Sequence, residues 1–80
     1  MLFIRAITKD KTIDFSTPSM DIDKGKELVR LISSTNKEAI HPNVVYCRNS
    51  IANKFGKAVV TVSLNDTDDN TNLVSYTYST

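Results

Sequence analysis

The sequence predicts an α+β domain, with five strands and one helix in the order ββαβββ. The strands form a mostly antiparallel sheet, and one amphipathic helix packs on one of its faces. Three observations carry this. Only the stretch from Asp21 to Asn36 repeats apolar residues at helical spacing. Five other stretches are rich in β-branched and aromatic residues, and the connections between neighbouring elements are short.

Leu2 to Thr8 is nearly continuous in apolar character, as a strand at the centre of a sheet is, with Arg5 marking a side that reaches solvent. Lys9, Asp10 and Lys11 make a short polar turn. Thr12 to Thr17 then alternates, with Ile13 and Phe15 facing in and Thr12, Asp14 and Ser16 facing out, so the two strands read as a hairpin. In the helix, Ile22, Gly25, Leu28, Val29, Leu31 and Ile32 share one side, opposite Asp23, Lys26, Glu27, Arg30 and Ser34. Pro18 stops the preceding strand, Ser19, Asp21 or Asp23 supplies the N-cap, and Asn36 ends the helix. Gly25 costs about 1 kcal/mol relative to alanine inside a helix. Its place on the apolar side predicts close approach to the sheet.

From Asn36 to Asn43 the chain reads as loop, ended by Pro42. Asn43 to Asn49 reads as a third strand, with Val45 and Cys47 on one face and Val44, Tyr46 and Arg48 on the other. Ser50 to Lys57 admits two readings. One is a helical turn with Ser50 as cap, an Ile51–Phe55 pair and Gly56 as stop; the other is a hairpin turning at Asn53 to Gly56. Ala58 to Leu64 is a central strand with Val60, Val62 and Leu64 aligned, Asn65 to Asn72 a polar turn, and Leu73 to Ser79 a last strand with Val74, Tyr76 and Tyr78 aligned.

Eighty residues form one domain, 1–80, that buries roughly 60 to 65% of the surface of its unfolded chain. The single cysteine, Cys47, excludes an internal disulfide framework and leaves zinc without its usual sulfur ligands, which points to a reducing, cytoplasmic setting. No apolar run approaches the length of a membrane span or a signal peptide. The net charge of +1 hides an asymmetry, since every Lys and Arg lies in 1–57 and only acids follow. Between Glu38 and Asp66 the chain is modestly basic through Arg48, Lys54 and Lys57.

No constellation of catalytic residues emerges, so the chain reads as non-enzymatic and without a cofactor. His41 is the only histidine and precedes a proline, and Cys47 lies mid-strand as a structural thiol does. Two glycines cannot build a phosphate-cradling loop. Asp66, Asp68 and Asn70 match the start of a calcium loop, but Thr71 stands where the turn requires glycine and Thr77 where a bidentate glutamate belongs. No metal site is therefore assigned.

The expected activity is that of a small binding module docking on a larger protein or complex. One helix covers one sheet face and leaves the other to be polar or to bind. Tyr46, Tyr76 and Tyr78 are the candidate anchors, joined by the acidic turn of Asp66, Asp68 and Asp69. A homodimeric structural subunit is a close variant. A further alternative is single-stranded nucleic acid, with bases stacking on an aromatic row of those tyrosines and Phe3 or Phe55, and phosphates held by Arg5, Arg48, Lys54 and Lys57. In size the chain is similar to small accessory proteins of phages and other mobile elements, inhibitors of host defence among them. No motif carries that likeness.

Overall fold

The computed structural model describes residues 1–16, 21–34, 42–68 and 71–80. They form β1 (Leu2–Ile7), β2 (Thr12–Ser16), α1 (Ile22–Ser33), α2 (Pro42–Phe55), β3 (Val59–Asp66) and β4 (Thr71–Ser79). The four strands make one antiparallel sheet in the order β2-β1-β3-β4.

The expected α+β class holds, and the expected five strands and ββαβββ order do not. Val44, Tyr46 and Cys47, read as part of a third strand, lie in α2, so the order is ββααββ and the sheet has four strands. The reason is visible in α2 itself. Val44, Cys47 and Ile51 are its buried residues, and a three- then four-residue spacing places them on one helical side, with Phe55 one turn further on. Burying that stripe outweighs the β preference of Val44, Val45 and Tyr46, because β-branched residues lose only a few tenths of a kcal/mol each in a helix. Pro42 occupies the first helical position, where its missing N–H costs nothing. Of the two readings of 50–57 the helical one holds, as the last turn of this longer helix rather than a separate one. It ends at Gly56, whose φ of 66° suits glycine and whose N–H donates to the Ala52 carbonyl at 2.8 Å.

The other elements follow the sequence closely. The β1–β2 hairpin pairs Ile7 with Thr12 and Ile4 with Phe15, and both Ile13 and Phe15 pack on the core. Asp21 caps α1, its carboxylate accepting from the Lys24 N–H at 2.8 Å, worth about 1 kcal/mol. The last helical residue is Ser33, and the proposed stop at Asn36 lies outside the described residues, as do Pro18, Ser19 and His41. Gly25 does permit close approach: a Cβ there would sit 2.9 Å from Leu64 Cδ2 on β3.

Both helices cover the same sheet face. Leu28, Val29 and Ile32 of α1 and Val44, Cys47 and Ile51 of α2 join Ile4, Ala6, Val60, Val62 and Leu64 in one buried cluster. Full burial of each large aliphatic side chain contributes about 1.5–3 kcal/mol, which is why this cluster decides the fold. Arg48 joins the helices: its guanidinium donates to the carbonyls of Ile32 and Leu31 at 2.9 Å and to that of Ser34. These carbonyls lie at the end of α1, where the last turn runs out of backbone donors four residues ahead; that of Leu31 also accepts from the N–H of Ser34, the C-cap, at 3.2 Å. No described helix is long and apolar enough to cross a membrane.

Candidate functional site: the outer edge of β4

Pairing registers decide which sheet face each residue occupies, since directly opposed residues share a face. Tyr78 opposes Val60 and Tyr76 opposes Val62, so both tyrosines lie on the helix-covered face. Tyr46 is on α2, not on the sheet, and is 67% exposed. The expected aromatic row on an uncovered face is therefore not formed. Tyr78 packs against the core, whereas Tyr76 stays 37% exposed.

The uncovered face is mostly polar, with Phe3, Ile7 and Val59 as its apolar members, and its polar groups largely satisfy one another. Arg5 donates to both carboxylate oxygens of Asp14, at 2.9 and 3.3 Å, and its guanidinium lies 5.0 Å from the Phe3 ring centroid. The Asp14 hydrogen bond holds the Arg5 guanidinium above its usual range. Asn65 donates to the Ser63 hydroxyl at 2.9 Å, and the Thr61 and Thr77 hydroxyls meet at 3.1 Å. Arg48 is occupied by the end of α1. Two of the four cations proposed for nucleic acid are thus engaged in structure, while Lys54 and Lys57 are exposed.

Lys57 gains neighbours that the sequence did not reveal. A groove of about 600 Å³ at one end of the sheet is lined by Thr8, Lys9, Asp10 and Lys11 of the β1–β2 turn, by Lys57, and by the apolar Phe55, Ala58 and Val59, three cations against one carboxylate. The turn and the end of α2 are far apart in sequence, and only the antiparallel register brings them together. The acidic residues lie at the opposite end, where Leu2 opposes Asp66. Asp66 accepts from the Asp68 N–H at 3.0 Å and from the Met1 amino group at 3.4 Å. The Asp68 N–H is the main cause holding its carboxyl below the usual range, and the Met1 charge adds to it. Asp69 and Asn70 lie outside the described residues.

The sheet's two edges differ sharply. β2 is 5 residues long, carries Asp14 and follows the charged turn Lys9, Asp10 and Lys11, a set of features that discourages strand addition. β4 is 9 residues long and contains no charge and no proline. It pairs with β3 on one side only, and among the described residues nothing hydrogen-bonds residues 74–79 from the outer side. A β-bulge interrupts its inner ladder: Leu64 opposes Val74 while Asn65 opposes Asn72, leaving Leu73 unopposed. Val74–Ser79 is the regular remainder. An edge of this kind presents backbone N–H and C=O groups to an incoming strand. The signal was present in the sequence as the uncharged run from Thr71 to Thr80, but not its position at an edge.

Compared with protein-family models, with curated proteins and with solved structures, the chain matches none.

Proposed function

We propose that the chain is a non-enzymatic protein-binding module that docks on a larger protein by adding one of that protein's strands to the outer edge of β4. The observation that supports this reading best is the contrast between the edges, with β2 short and charged and β4 long and uncharged. Main-chain hydrogen bonds supply affinity in such an addition, and the side chains alternating above and below the sheet supply specificity. Tyr76, exposed beside the edge, is the anchor. An accessory or inhibitory role, of the kind small phage proteins play, would work through this same edge.

The test places lysine at Ser75 and Thr77, both exposed. Ser75→Lys with Thr77→Lys should keep the far-UV circular dichroism spectrum and lose the partner that the wild-type chain captures from host lysate. Tyr46→Ala should keep that partner. Retention of the partner by the doubly substituted chain would refute strand addition.

A second reading, single-stranded nucleic acid, is favoured by the basic groove over Phe55 rather than by the sheet face. It requires affinity that falls steeply with salt and drops further in Lys9→Ala with Lys57→Ala. Salt-independent binding would remove it.

A further inference from the structure

We infer that in the free chain the strand added at β4 is β4 of a second copy, related by a two-fold axis through Tyr76. This rests on the proposed use of the β4 edge and names what fills that edge before any foreign strand competes for it. The argument begins with ladder geometry. Along an antiparallel strand, successive residues direct their N–H and C=O groups alternately to one side and the other, and only residues of the same kind face each other across a ladder. When two identical edges meet, partners must therefore be an even number of positions apart, so the two-fold axis passes through a residue and not between two. The bulge at Leu73 breaks the alternation, which confines a regular ladder to Val74–Ser79.

Within that stretch an axis through Tyr76 matches like with like. Tyr76 meets Tyr76 of the second copy, and Val74 meets its Tyr78, both on the helix-covered face. Ser75 meets Thr77 on the polar face, a hydroxyl pair of the same type as the Thr61–Thr77 contact already formed within one chain. Cross-strand pairs of aromatic, β-branched and hydroxyl residues are the favourable ones in antiparallel sheets. An axis one residue later would set Val74 against Thr80, whose hydroxyl is tied to the carbonyls of Gly56 and Ala58. β4 itself brings no charge to the pairing. Tyr76 also has reason to be covered: it is a large aromatic side chain left 37% exposed on the face that otherwise forms the core. The interface is isologous and closes on itself.

The experiment is sedimentation equilibrium on the whole chain from micromolar to millimolar concentration, with three proteins. The wild-type chain should reach the dimer mass. Ser75→Lys with Thr77→Lys sets like charges directly opposite each other twice and should weaken the dimer at least tenfold. Ser75→Glu with Thr77→Lys carries the same number of substitutions, but each carboxylate then faces an ammonium of the other copy, and the dimer should persist. A wild-type chain that stays monomeric overturns the inference, as does a double-lysine variant that dimerises like the wild type. Equal dissociation of both doubly substituted variants overturns the axis through Tyr76. Failure here is distinct from failure of the proposed function. A monomeric wild-type chain whose captured partner is lost by the double-lysine variant overturns only the second copy, whereas a double-lysine variant that still captures the partner overturns strand addition itself.

Discussion

The Tyr78 hydroxyl is buried and has no hydrogen-bond partner among the described residues. A phenol in that state has given up water without compensation, which costs about 1–3 kcal/mol. Tyr78→Phe keeps the ring against the core, so urea denaturation should find it more stable by about 1 kcal/mol. The same site predicts a pH dependence. Burial pushes the Tyr78 phenol up from its ordinary 10.0, with Cys47 adding to the shift and Arg48 opposing it, and burial pushes the Cys47 thiol up from 9.0. The unfolded chain therefore releases these protons at lower pH than the folded chain. Stability is fully present below the thiol range and falls as pH rises through 9 and then 10. A melting series across that range should show the decline, and Tyr78→Phe should flatten its upper part. Arg48 is the other decisive residue. Hydrogen bonds to charged groups contribute about 1.5–3 kcal/mol, so Arg48→Met should cost about 2 kcal/mol. Arg48→Lys should not restore it, because a single ammonium cannot reproduce the planar fork that spans three carbonyls.

At the scale of elements, α1 shows how a helix residue can be chosen for its neighbour. Gly25→Ala would ordinarily gain about 1 kcal/mol of helix propensity. Here the added carbon meets the end of Leu64 at 2.9 Å, so the expected net change in a denaturation experiment is near zero, while Gly25→Val should lose about 1–3 kcal/mol to overpacking. This close approach was legible because the cost of glycine in a helix demands a reason. The hairpin was equally legible, since Ile13 and Phe15 alternate without ambiguity. Helix α2 was not. Val44, Val45, Tyr46 and Cys47 are strand formers in a short run, and two-residue alternation and helical spacing both fit until the run is joined to Ile51 and Phe55 across an apparent boundary at Ser50. Pro42 is compatible with either reading, since a residue that ends one loop also starts a helix well.

For the whole molecule, a single buried cluster ties both helices to β1 and β3, with residues of β2 and β4 packed against it, so local damage there should be global. Leu28→Asp places an unpaired carboxylate in that cluster at a cost of several kcal/mol, comparable with the roughly 5–15 kcal/mol that holds a domain folded. Circular dichroism should show loss of helix and sheet signals together. The candidate site was harder to foresee than the core, because it depends on strand order. An uncharged nine-residue stretch is harmless at the centre of a sheet and exposed at its margin, and only the fold decides which. The basic groove is hidden for the same reason, as Lys9 and Lys57 are joined by register and not by sequence.

The inequality of the two edges also limits stoichiometry. Once a strand lies along β4, the remaining sheet edge among the described residues is β2, which offers 5 residues, a carboxylate engaged with Arg5 and a charged turn at its start. The proposed addition would then be self-terminating: a chain that took one neighbour would give the next no place to start, so that an open strand, ordinarily the seed of a fibre, would yield a finite assembly instead.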